Sequence, residues 1–134
     1  MTNRLHRDQT GLVGKVLVVW LVVLAVFLLV AFDGISILFS KYRVADLAGN
    51  AASEAAYDFH SDADVERACQ AAVDYVASHD ASARIPEAGC AIDKTTGDVT
   101  ITVKKTANTL VAKRWSVTEP LTHLEDTETV PAPI

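Results

Sequence analysis

The sequence predicts an α+β fold, with one long N-terminal helix that crosses a membrane and continues into a small α+β head. Three observations carry this prediction. An unbroken apolar run extends from Val16 to Phe32, helical periodicity continues to about residue 79, and a period of two begins near Cys90. The head is therefore expected to combine a second helix with a small antiparallel β-sheet.

The apolar run is the membrane segment. It contains 17 residues without a polar side chain. At about 1.5 Å per residue it covers about 26 Å, close to the roughly 30 Å hydrocarbon core of a bilayer. Apolar residues between Ile35 and Phe39 extend it, which predicts a transmembrane helix over residues 16–39 after a cytoplasmic N-terminus, 1–15. A cleaved signal peptide is the alternative, but its apolar stretch usually has about 7–15 residues.

The charges that flank the span predict its orientation. Arg4, Arg7 and Lys15 precede it, and positive charge near a first span is retained in the cytoplasm. The protein is therefore expected to cross the cytoplasmic (inner or plasma) membrane once, with its head outside. Residues 44–134 contain seven Lys or Arg and fifteen Asp or Glu. This acidic balance argues against nucleic acid and against adhesion to anionic lipid.

The long helix is expected to extend beyond the membrane over residues 40–60. There it carries small residues at spacings of four, three and four, so they share one side of the helix. Small side chains let a neighbouring helix or sheet approach closely, although Ala is also simply a good helix former. These candidate interaction residues are Ala45, Gly49, Ala52 and Ala56.

Asp33 is the other candidate interaction residue, because an ionisable group near the end of a span needs water or a partner. Either it marks the outer membrane boundary, or it pairs with a basic group of another helix. The hypothesis that Asp33 and the small residues form one docking strip requires a kink, for example at Gly34.

The head is expected to cover residues 61–130, followed by a tail, 131–134. Ser61 and Asp64 resemble a capping box that opens the second helix. Its apolar stripe is predicted to contain Val65, Cys69, Ala72, Val73 and Val76. Because Cys69 and Cys90 are even in number and outside the membrane, a disulfide between them is predicted. The alternative is two separate buried thiols.

The second half of the head is predicted to be β-structure. Residues 90–93 and 99–104 form a hairpin whose turn contains Gly97. A polar, Thr-rich segment, Leu121–Val130, is expected to be an exposed third strand, after a short helix or loop that contains Leu110 and Trp115.

The sequence offers no pattern of catalytic chemistry. It contains no nucleophile elbow, phosphate loop or His-Glu-x-x-His motif, and its histidines are scattered. Acids near His60 are more typical of a helix cap than of a metal site. We therefore expect no enzyme activity, no cofactor and no metal.

Several segments resemble the TadE-like proteins of tight-adherence (Flp-type) pilus systems. They are the polar start Arg7–Gly11 before the apolar run, Phe32-Asp33-Gly34, the Ala-rich Leu47–Ala56 and the strand Val99–Val103. The resemblance implies pilin-like architecture and a non-enzymatic minor pilin or pilus-assembly role among other membrane proteins. Such proteins are cut after a Gly that has Glu at the fifth position beyond. Here that position is Val16 or Val19, so a protein that stays in the membrane is expected.

Two other functions remain open from the sequence. The protein could be an accessory subunit of a larger membrane complex, such as a respiratory or transport complex, docked through its transmembrane helix. It could also be an anchored extracytoplasmic binding module with its site on the head.

Overall fold

The computed structural model describes residues 5–132 and has the predicted α+β fold. Its first helix, α1, is a single helix of 58 residues, Leu5–Asp62. The second helix, α2, is Val65–His79. Four strands follow: β1 (Ala83–Arg84), β2 (Cys90–Ile92), β3 (Val99–Thr106) and β4 (His123–Val130). Within the described part of the chain, one helix is long and apolar enough to cross a membrane.

The two halves of α1 have opposite surroundings. The apolar side chains from Val16 to Val30 are exposed on every side of the helix. Beyond Ser40, one face is buried against α2, β3 and β4, and includes Val44, Leu47 and Ala51. The outer half of α1 is therefore the spine of the head, whereas the apolar half up to about residue 25 has no cover from the head.

The junction between the helices corrects one prediction. Ser61 does not open α2, because α1 itself continues to Asp62. Asp64 is the N-cap instead, and its Oδ1 accepts from the amides of Glu66 and Arg67 at 3.0 and 3.2 Å. Ala63 between them has a φ of +55°. This left-handed residue reverses the chain, so that α2 returns along α1.

The buried face of α2 is rotated slightly from the predicted stripe. Ala68, Ala72 and Val76 are buried, whereas Val73 is 38% exposed. The expectation for Val73 was wrong because the strip facing α1 is narrow and is filled by small residues. Close contact between two Ala-rich faces leaves room for few large side chains.

In the sheet, β3 is the central strand and all its pairings are antiparallel. The predicted hairpin of β2 and β3 forms, with Cys90 opposite Ile101 and Ile92 opposite Val99. Gly97 in its turn has a φ of +81°, which favours glycine. The predicted third strand forms as β4 and covers the other side of β3 along its whole length. The two-residue β1, which the sequence pattern did not predict, pairs beside β2 with the far end of β3.

The sheet presents an apolar face to α1 and a polar face to solvent. Val99, Ile101 and Val103 are fully buried. On the opposite face, the hydroxyls of Thr100 and Thr102 lie 2.9 and 2.8 Å from those of Thr129 and Thr127. Alternation along β3 thus allows the sheet to pack its apolar face against both helices, in two layers.

Candidate functional site

The segment that connects β3 to β4, residues 107–122, is the most unusual part of the structure. It leaves the head and returns along α1 toward the apolar half of that helix. It contains two short 3-10 helices, Ala112–Arg114 and Glu119–Thr122. We call residues 107–122 the connecting loop.

Asp33 holds the connecting loop to α1. Its Oδ1 accepts from the amide of Leu110, and its Oδ2 accepts from those of Val111 and Ala112, each at 2.7 Å. Successive amides that point at one carboxylate form an anion-binding nest. One helical turn further along α1, the hydroxyl of Ser36 donates to the carbonyl of Asn108 at 2.6 Å. The loop is therefore fixed at the level of residues 33–36.

The carboxylate of Asp33 is thus satisfied within its own chain. Asp33 as a whole is only 5% exposed. Sequence reasoning identified Asp33 as a residue that needs either water, at the outer membrane boundary, or a partner on another helix. It could not find the partner, because three loop amides more than 75 positions away carry no side-chain signal.

The small residues of the proposed strip lie in two environments. Ala52 and Ala56 are buried in the core of the head, whereas Ala45 and Gly49 are half-buried. The close approach that small residues permit is used here by the head's own elements, which pack on α1. Contact of a partner protein with Ala45 and Gly49 stays a prediction.

An apolar groove of about 490 Å³ lies between α1 and the connecting loop. From α1 it is lined by residues that include Val26, Val30 and Gly34, and from the loop by Trp115 and Leu121. Its only ionisable lining residue is Asp33, whose carboxylate is occupied by loop amides. The groove is therefore suited to contact apolar groups, such as hydrocarbon chains or apolar side chains.

Asp80 is a second polar residue that ties elements together, and sequence reasoning missed it. Its Oδ2 accepts from Nζ of Lys105 at 2.5 Å, and its Oδ1 accepts from the hydroxyl and amide of Ser82 at 2.6 and 3.0 Å. Oδ2 also lies 3.7 Å from Nε of Arg43. The only sequence signal was an Asp with a Ser two residues later at the end of a helix, which is ordinary turn chemistry.

The charge of Asp80 is stabilised by this arrangement. Desolvation raises the pKa of its carboxyl, but hydrogen bonds from Lys105 and Ser82 outweigh that effect and lower the pKa to about 2. Asp80 thereby joins α1, the end of α2 and β3 at the end of the head nearest the span.

The cysteine pair joins α2 to the sheet at a second point. Cys69 on α2 and Cys90 on β2 are joined, with their Cα atoms 5.9 Å apart. This agrees with the predicted disulfide, which fastens α2 to the edge of the sheet.

Among the residues that the structure describes, no group of three or more His, Cys, Asp or Glu side chains is placed to hold a metal ion. Comparison with known proteins found no matching family model, curated protein or solved structure. The candidate site is therefore interpreted from its own geometry.

Proposed function

We propose that this protein is a non-enzymatic, single-pass component of the cell envelope that acts through protein–protein contacts in the membrane, as a TadE-like minor pilin or pilus-assembly protein. The proposal includes an N-terminus in the cytoplasm and a head outside. The observation that carries it is the division of α1, since one helix supplies both a bare apolar half and the spine of a disulfide-linked head.

The structure favours retention of the apolar half over its removal as a signal peptide. A peptide cut after the apolar run would separate Phe32 from the helix, and a cut a few residues later would remove Asp33. Asp33 is the residue that holds the connecting loop. A head built to use a residue at the end of the span is most simply explained by a span that stays attached.

Partner contacts are expected on the bare half of α1. Phe27 and Leu28 are 68% and 59% exposed, and no element of the head covers them. In a bilayer such a surface contacts either lipid or the helices of other membrane proteins.

Site-specific photo-crosslinking in native membranes tests this function. A photoreactive phenylalanine analogue at Phe27 should trap pilus-assembly proteins, and deletion of the gene should abolish pili. The same analogue at Tyr57, which lies on the outer half of α1 and is 78% exposed, is the matched control outside the membrane. Respiratory or transport subunits trapped at Phe27 would favour an accessory subunit instead, and a ligand trapped only at Tyr57 would favour a binding module.

Topology has its own test. Protease added to intact spheroplasts should digest the head and leave the N-terminus protected. A protected head would reverse the proposed orientation, and a mature protein that lacks the apolar run would refute anchoring.

A further inference from the structure

We propose that the connecting loop is a second membrane contact, seated among the phospholipids of the outer leaflet of the bilayer that α1 crosses. This inference rests on the proposed membrane anchoring. It concerns a different surface from the one expected to meet protein partners.

The depth of the loop follows from its attachment to α1. A hydrocarbon core of about 30 Å takes about 20 helical residues, which, counted from Val16, end at Ile35. The loop is fixed to Asp33, inside that limit. The groove that it forms reaches Val26, seven residues or about 10 Å deeper. The loop therefore lies beside a part of α1 that is in lipid when the helix spans the membrane.

The side chains of the loop suit this position. The loop carries several large apolar side chains that are exposed and not buried in the core of the head. The most exposed are Leu110, Trp115, Val117 and Leu121, at 59, 66, 85 and 60%. Trp is enriched at the level of lipid headgroups, where its ring is apolar and its N–H remains wet. The exposed apolar surface of the loop is also continuous with that of the span.

Part of the loop backbone is hydrogen-bonded within the protein, which favours contact with lipid. Asp33 accepts from three successive amides. The amides of Arg114, Thr118 and Leu121 donate to carbonyls within the loop at 2.9–3.1 Å. The hydroxyl of Thr118 donates to the carbonyl of Ala112 at 2.7 Å. These hydrogen bonds lower the number of backbone groups in the loop that lose a partner when water is replaced by lipid.

The distribution of positively charged residues also favours contact of this end of the head with the membrane. Four of the seven Lys and Arg residues after position 43 lie at the end of the head nearest the span, on β1, the end of β3 and the loop. They are Arg84, Lys104, Lys105 and Arg114. Lys41 and Arg43 on α1 precede the head at this end.

Part of this positive charge is neutralised within the head. Lys105 and Arg43 lie near Asp80, and Lys104 lies 3.1 Å from Glu125. Lys41, Arg84 and Arg114 are exposed and have no ion pair within the described residues. The head is acidic overall, but its end nearest the span thus carries basic side chains that can meet phospholipid phosphates.

Single-tryptophan variants of the full chain test this contact. The protein is reconstituted into phosphatidylcholine vesicles whose acyl chains carry bromine, which quenches nearby tryptophans. Trp20→Phe leaves Trp115 as the reporter of the loop. Trp115→Phe leaves Trp20, which is 69% exposed on the span, as the reporter of anchoring.

We expect the bromolipid to quench both tryptophans strongly, and iodide in the water to quench Trp115 only weakly. Quenching of Trp20 together with an iodide-accessible, bromolipid-insensitive Trp115 would overturn the loop contact and leave the anchoring intact. Quenching of neither would refute anchoring itself. In the Trp20→Phe background, Asp33→Ala should free the loop and expose Trp115 to iodide, whereas Asp33→Asn, which keeps an acceptor oxygen, should do so less.

The charge component has a separate readout. Replacing part of the phosphatidylcholine with phosphatidylglycerol should shift the emission of Trp115 to shorter wavelength. Arg84→Gln with Arg114→Gln should remove that shift. The matched changes Arg67→Gln with Lys94→Gln, on α2 and in the turn of the β2–β3 hairpin, should not. An emission wavelength of Trp115 that does not change with phosphatidylglycerol would overturn the headgroup contact.

Discussion

Replacing Asp80 with Asn should destabilise the head more than any change to an exposed ion pair. The side chains of Asp80 and Lys105 are only 11 and 12% exposed. Removing one partner of a buried pair strands the other charge and typically costs about 3–5 kcal/mol. Because Asn keeps the shape and one acceptor oxygen, we expect about 3 kcal/mol. The exposed neighbouring pair, Lys104 with Glu125, should contribute less than about 1 kcal/mol.

The same residue predicts a pH dependence. The pKa of Asp80 is lowered from 3.8 to about 2 in the folded head. Its charge therefore stabilises the folded state fully above about pH 4, and this stabilisation is lost as the pH falls toward 2. At about 1.4 kcal/mol for each pH unit of difference, the contribution is about 2 kcal/mol.

Urea unfolding of the full chain in detergent micelles, followed by near-ultraviolet circular dichroism, measures both effects. The Asp80→Asn variant should unfold at lower urea and show a flatter response to acid in this window. Glu125→Gln is the matched control on the adjacent pair. Asp80→Asn combined with Lys105→Met should recover part of the loss, because no buried unpaired charge remains and Arg43 is half-exposed. Equal stabilities of the Asp80→Asn and Glu125→Gln variants would refute the buried-pair argument.

Three other predictions follow from the packing of the head. The disulfide between Cys69 and Cys90 closes a 22-residue loop. Reducing it should lower the free energy of unfolding by about 3 kcal/mol, and an unchanged urea midpoint would contradict the presence of the disulfide. Gly97→Ala should lower the free energy of unfolding by about 1–2 kcal/mol, because φ at this position is +81° and the new Cβ would lie 2.9 Å from Cβ of Ala132. Ala52→Leu should overpack the core and cost about 1–3 kcal/mol. At Gly49 an added Cβ meets nothing within 4 Å, so Gly49→Ala should instead stabilise α1 by up to about 1 kcal/mol. Similar thermal stabilities for Ala52→Leu and Gly49→Ala would contradict the burial of Ala52 and the open space beside Gly49.

Local patterns determined much of the architecture. The apolar run, the alternation along β3 and the turn at Gly97 are each contiguous in the chain, so hydrophobic spacing was enough to predict the long apolar helix and the hairpin. The cysteine pairing could also be predicted, because the sequence contains two cysteines, Cys69 and Cys90, and the structure joins them. The two-residue β1 was not predicted, because so short a segment has no period.

What the sequence alone could not decide depends on contacts between distant positions. The sequence marked Asp33 as costly, but only the fold brought the amides of residues 110–112 to it. Likewise, net charge described the head as acidic, whereas chain topology gathered most of its basic residues at one end. The identities of residues determine local propensity and total charge. Which surface meets the membrane depends on where β3 ends relative to α1, and that is a property of tertiary packing.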